Sequence, residues 1–188
     1  LTSFAGGIDV TAGGALAVTT DQSPASLTVG SLTLANSALF LENLAGGPVG
    51  STLEVTDAPL ILDASTLTTN GVGNLIDVTD VGFAMNNASS LSTSGELTMR
   101  GGFSDFVLSD STANLASAAL TFETTGLLNS IRSNWTITNS DFDSRAALTR
   151  LTDSSFTVDN DLGGSFVFTS PLLEWRAGTS MTLAPDTT

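Results

Sequence analysis

The chain has 188 residues and a mass of 19.1 kDa, and its 41% hydrophobic content and mean hydropathy of +0.27 suit one folded domain and not a disordered tail. Nineteen Asp and Glu against five Arg give a formal net charge of −14, which excludes long-range attraction to nucleic acid or anionic lipid. His, Cys, Tyr and Lys are absent, so catalysis by imidazole, thiolate, phenol or amine is excluded, as are disulfides and thiolate metal sites.

Leu1-Thr2-Ser3 has no start Met and no basic leader and reads as a mature or excised N-terminus. Along the chain, short apolar-x-apolar units then follow one another: Ile8-Asp9-Val10, Leu27-Thr28-Val29, Leu32-Thr33-Leu34, Leu53-Glu54-Val55, Leu97-Thr98-Met99, Phe156-Thr157-Val158 and Met181-Thr182-Leu183. Amphipathic helical spacing is missing, and no apolar run reaches the roughly 18 residues of a membrane helix, so short strands and no membrane insertion are expected.

The units recur at a nearly fixed interval. A first column begins at Ile8, Leu32, Leu53, Ile76, Leu97, Leu120, Phe142 and Phe166, with gaps of 24, 21, 23, 21, 23, 22 and 24 residues. A second follows at Leu16, Leu39, Leu60, Phe83, Phe106, Leu128, Leu148 and Leu173, and a third at Leu27, Val49, Leu67, Leu91, Leu115, Trp135, Phe156 and Met181. The spacing predicts a right-handed parallel β-helix over residues 1–188, with about eight coils of three strands whose like residues stack into one core. The alternative is a β-sandwich or jelly roll, which also has short alternating strands between turns. Asn and Gly between the columns, such as Asn43, Asn70, Gly71, Gly73, Asn74, Asn87, Gly95, Asn114, Asn129 and Asn160, fit corners that need left-handed backbone.

Two stretches, Ala25-Ser26-Leu27-Thr28-Val29-Gly30-Ser31-Leu32-Thr33-Leu34 and Gly95-Glu96-Leu97-Thr98-Met99, resemble coils of secreted right-handed β-helix proteins, especially autotransporter passengers and haemagglutinin-type adhesins. The resemblance implies an extracellular or cell-surface role and carries over no functional residue. The acidic, Lys-free composition points the same way, because hydrated and mutually repelling particles suit a surface. Two sequons, Asn87-Ala88-Ser89 and Asn134-Trp135-Thr136, are accessible acceptors if the host glycosylates.

Middle residues of the units face outward. In the second column these are Ala17, Phe40, Ile61, Ala84 and Val107, and Phe40, Ile61, Ala84 and Val107 are the candidate interface residues, covered by another protomer of a homo-oligomer or by a further part of the same chain. The uncapped coil ends, with unpaired backbone groups, are expected to stack into an end-to-end filament or to continue into a longer chain. Stacked Thr in the third column raises ice as a ligand, but paired Thr-x-Thr ranks look scattered there, as at Thr66/Thr68 and Thr136/Thr138. Carboxylates and Arg are the chemistry that remains. Asp141 and Asp143 flank Phe142 on one strand face about 6.6 Å apart, with Arg145 nearby, which is the arrangement of a glycan-binding or glycan-cleaving site. Asp159-Asn160-Asp161-Leu162-Gly163-Gly164 begins like a Ca²⁺ loop, with Asp159 and Asp161 as candidate ligands, but Gly163 is displaced and no bidentate Glu follows, so a turn is expected. The main expectation is a non-enzymatic structural or adhesive module without a cofactor, whose further partner is a glycan or a cell-surface receptor.

Overall fold

The computed structural model describes residues 2–20, 25–43, 50–71, 73–101, 105–124 and 126–184. Every strand pairing among them is parallel. The chain is therefore a parallel β-solenoid, and a β-sandwich with antiparallel neighbours is ruled out.

The coils have three faces. Face A stacks the first halves of Thr2–Thr11 and Ala25–Ala35, then Ser51–Val55, Leu75–Thr79, Glu96–Gly101, Ala119–Thr124, Asp141–Ser144 and Phe166–Phe168. Face B stacks the second halves of the same two long strands, then Leu60–Asp63, Phe83–Asn86, Phe106–Ser109, Leu127–Ile131, Leu148–Thr152 and Leu172–Trp175. Face C is a separate sheet of Ala15–Thr20, Ala38–Asn43, Thr66–Asn70, Ser90–Thr93, Thr112–Ala116, Asn134–Thr138, Ser155–Asp159 and Ser180–Leu183. In Ala25–Ala35 the in-out alternation breaks at Val29 and Gly30, both buried, and there the strand turns from face A to face B.

A single core runs inside. Leu53, Ile76, Leu97, Leu120 and Phe142 succeed one another on face A, Leu60, Phe83, Phe106 and Leu128 on face B, and Leu67, Leu91, Ala113, Trp135 and Phe156 on face C, all buried. Its composition changes along the axis: Leu and Val dominate the early coils, whereas ring contacts run from Phe83 to Phe168. Trp135 is the centre of that aromatic segment, stacked on Phe156 at 5.4 Å and edge-on to Phe142 at 5.7 Å.

From Leu53 onward the three expected columns coincide with faces A, B and C. Before it they are displaced by one face: Leu27 pairs with Leu53, Leu32 with Leu60 and Leu39 with Leu67, so 28 residues separate Leu32 from Leu60. This coil is longer than the rest, and a uniform period of about 22 mis-threads the coils before it. Val49, assigned to the third column, lies outside the described residues. Smaller slips occur later. Thr149, not Leu148, points inward and is fully buried, and Ala113, not Leu115, aligns with Leu91 and Trp135.

The corner from face B to face C repeats a two-residue device. A residue with positive φ is followed by a buried Ser at Asn36-Ser37, Ala64-Ser65, Ala88-Ser89, Asp110-Ser111, Arg132-Ser133 and Asp153-Ser154. The Ser37 amide donates to Ser65 Oγ at 3.0 Å, Ser65 to Ser89 at 3.1 Å, Ser111 to Ser133 at 3.2 Å and Ser133 to Ser154 at 3.3 Å. Most of these hydroxyls donate in turn to the carbonyl two residues earlier, as Ser133 does to Ile131. Such chains of bonds satisfy buried backbone groups where the strand ladder is interrupted. They also explain why Ala, Asp and Arg tolerate left-handed backbone here, where Asn or Gly is expected: the amide of each left-handed residue bonds to the next coil, as Ala64 does to Asn86 and Arg132 to Thr152. Asn114 and Asn129, expected at corners, lie within strands.

Candidate functional site

The outward residues give each face its own chemistry. Face A carries Thr28, Glu54, Asp77, Thr98, Thr121, Asp143 and Val167 in register. Asp141 and Asp143 lie on either side of buried Phe142, as their spacing implies. They do not act as a free pair. Arg145 donates from Nε to Asp143 Oδ2 at 2.8 Å and reaches back one coil to Glu123 Oε1 at 3.1 Å. The hydrogen bond and charge of Asp143 raise the guanidinium above its ordinary pKa. Asp143 Oδ1 is buried without a hydrogen-bond partner, and Asp141 is exposed and accepts from Ser165 Oγ at 2.8 Å. Asp141 also borders an open groove of about 620 Å³ along the corner from face C to face A, shared with Glu96 and floored by Gly50, Gly73 and Gly95.

Glycine at this corner lets successive coils approach closely. A Cβ on Gly50 would stand 2.3 Å from the Gly73 carbonyl carbon, and one on Gly95 2.5 Å from Asn74 O. Between them, buried Asn74 fastens the corner: its Oδ1 accepts from the Ser51 amide at 2.9 Å, and its Nδ2 donates to Asn70 O at 2.7 Å and Gly71 O at 3.0 Å.

On face B, Ile61 pairs with Ala84 and Ala84 with Val107, giving three half-buried apolar residues side by side. Phe40 is not among them. It stands on face C between Ala17 and Thr68, because the long second coil moves it there, and Thr33 takes its place beside Ile61. Farther along face B, Asn129, Arg150 and Glu174 align, and Arg150 Nε meets Glu174 Oε2 at 2.8 Å across the coils. At the neighbouring corner Arg132 bridges to Asp110 of the preceding coil at 2.6 Å. Its hydrogen bond holds the Asp110 carboxyl below the usual value, and the hydrogen bonds of Arg150 and Arg176 do the same for Glu174.

Asp159 ends a face C strand and Asp161 lies in the following turn, both exposed, with Gly163 N bonded to Asn160 O at 3.1 Å. Among the described residues no group of three or more acidic side chains gathers that could hold a metal ion. Asn87 and Asn134 of the two sequons are exposed. Asn87 is bonded to Asp63, and Asn134 Oδ1 accepts from Ser155 Oγ at 2.6 Å.

Two features are only partly legible in the sequence. The first is a hydroxyl and amide array on face C. Its outward pairs lie in the ranks Thr66-Leu67-Thr68, Ser90-Leu91-Ser92, Thr112-Ala113-Asn114, Asn134-Trp135-Thr136, Ser155-Phe156-Thr157 and Ser180-Met181-Thr182. The ranks are stacked without a register shift. The paired ranks that looked scattered are thus continuous over six coils. Their signal is the Ser-polar-x-polar pattern that follows the left-handed corners from Ala64 to Asp153, visible at Ser65-Thr66-Leu67-Thr68 and Ser154-Ser155-Phe156-Thr157.

The second is the surface of the last coil. All the large hydrophobic residues that are exposed among the described residues fall between Leu162 and Leu183: Leu162, Val167, Leu172, Leu173, Trp175 and Leu183. Leu173, Trp175 and Leu183 continue inward rows, aligned with buried Thr149, Leu151 and Val158. No family model matches the chain, and no curated protein or solved structure is significantly similar to it.

Proposed function

We propose that this chain is a non-enzymatic structural or adhesive β-solenoid module of an extracellular or cell-surface setting, which self-assembles or packs on a partner through its last described coil. The observation that carries the reading is the concentration of exposed apolar side chains there. Leu173 and Trp175 are each 44% exposed and Leu183 52%, although the residues one coil earlier in the same rows are fully buried. The strands Phe166–Phe168, Leu172–Trp175 and Ser180–Leu183 each pair on one edge only among the described residues, so main-chain donors and acceptors stand open beside that apolar surface. Parallel strands of a second copy stacked there satisfy both, and a head-to-tail contact repeats without closing. The patch of Ile61, Ala84 and Val107 offers a smaller lateral contact on face B. The strongly acidic charge supports a dispersed, hydrated surface particle that associates at defined places only.

Sedimentation velocity of the 188-residue chain over a concentration series, with electron microscopy of the same samples, tests this. The parent is expected to form elongated species that grow with concentration. The double variant Trp175→Asp, Leu183→Asp is expected to sediment as a smaller species that still melts cooperatively, at a somewhat lower temperature because each side chain is about half buried. A parent that stays monomeric throughout, or a double variant that assembles like it, overturns self-assembly through this coil.

A further inference from the structure

The six hydroxyl and amide ranks of face C carry no charge in a chain of net charge −14; the acidic residues of this face, Glu42 and Asp159, lie outside the ranks. Face A bears Glu54, Asp77 and Asp143 in the equivalent row, and face B bears Asp9, Arg150 and Glu174. The array begins where Phe40 gives way to Thr68 and runs unbroken to Thr182. Apart from the bond between Ser155 and Asn134, these side chains make no hydrogen bond within the protein. The other donors and acceptors of the array are directed to what lies outside.

The backbone fixes the lattice of these groups. Ranks repeat at about 4.8 Å across the strands, and the two files stand about 6.6 Å apart along them. The Ser ladder at the adjoining corner holds successive coils in register, so little main-chain freedom remains to be lost on contact. A hydroxyl both donates and accepts, and Thr adds a methyl group beside it. A partner that uses the whole array must be uncharged, planar, periodic in two directions, and able to donate and accept at every site. A soluble sugar spans only part of it. The surface also lacks an aromatic plane for sugar rings, because Trp135 and Phe156 point into the core.

We infer that face C, from Thr66/Thr68 to Ser180/Thr182, is an ice-binding surface that engages the ordered water of an ice crystal through its paired Ser, Thr and Asn side chains. This role is independent of assembly through the last coil. The test is ice recrystallisation and ice-crystal shape in solutions of the purified 188-residue chain, compared with the outward variants Ser92→Lys and Thr136→Lys on face C and Thr121→Lys on face A, with the fold of each checked by thermal melting. The parent and Thr121→Lys are expected to keep ice grains small and to facet single crystals, and both face C variants to lose these effects with unchanged melting. The Trp175→Asp, Leu183→Asp variant is expected to retain them, which separates this inference from the assembly reading. A parent that leaves grain growth and crystal shape as buffer does, or face C variants as active as the parent, overturns it. So does adsorption of the parent to crystalline cellulose in the absence of any effect on ice, which would assign the array to a polysaccharide.

Discussion

Trp135→Ala is expected to lower the unfolding free energy by about 3–5 kcal/mol, the largest single effect anticipated in this protein. Trp135 is 1% exposed and lies at the node of the aromatic segment, in contact with Phe106, Phe142 and Phe156. Its neighbour one coil earlier is Ala113, so the large ring fills the space that a small side chain leaves in the stack. Truncation opens a cavity that these neighbouring rings, held in a rigid three-sided tube, collapse into only partly. It also removes the Nε1 donor that bonds Ser130 Oγ at 3.0 Å, a buried hydroxyl that keeps Ser154 as its other partner. Urea denaturation checks the value. The adjacent outward variant Thr136→Ala serves as the control, with an expected change within about 0.5 kcal/mol.

Asn74→Ala is expected to cost about 2–4 kcal/mol, through unsatisfied hydrogen-bonding groups and not through lost apolar contact. Asn74 is 1% exposed, and its side chain serves the Ser51 amide, from a fully buried residue, as well as two corner carbonyls. Asn70 and Ser51 stand at the end of one strand and the start of another, and Gly71 lies at the corner where the chain turns from face C to face A. Removing the amide leaves a buried donor and weakens the corner that floors the groove. Asn74→Asp keeps the acceptor for Ser51 but turns a buried carboxylate oxygen toward the Asn70 and Gly71 carbonyls, and is expected to cost at least as much as Asn74→Ala at neutral pH in the same urea experiment.

These two positions show how differently parts of the fold can be read from sequence. Trp135 belongs to a column that the spacing identifies, because from Leu53 onward the coils are close to one length and each inward row is apolar. The earlier coils resist the same reading: Leu32 and Leu60 are 28 residues apart, and nothing in apolar spacing alone distinguishes a long coil from a change of face. Phe40 was drawn into the face B patch for that reason. At Thr149 the pattern fails for another cause. Its hydroxyl meets Ser170 Oγ at 2.6 Å and Ser144 Oγ at 3.0 Å inside the core, so a polar residue occupies an inward place while neighbouring Leu148 points outward. The face C array was in plain view as Ser-polar-x-polar repeats, but its continuity depends on a register shared by six coils, which pairwise spacing does not supply. The reach of Arg145 back to Glu123 likewise depends on which residues lie one coil apart.

The stacking of coils is tested most directly by engineered cysteines, since the natural chain has none to interfere. Ile61→Cys with Ala84→Cys places two outward thiols on adjacent strands of face B, at about the 4.8 Å strand spacing that a disulfide accepts. Phe40→Cys with Ile61→Cys places them on different faces. Under mild oxidation the first pair is expected to cross-link within the molecule and the second to stay reduced, as read by mass spectrometry of the monomer. A bond between positions 40 and 61 with none between 61 and 84 contradicts the parallel register on which every surface described above depends.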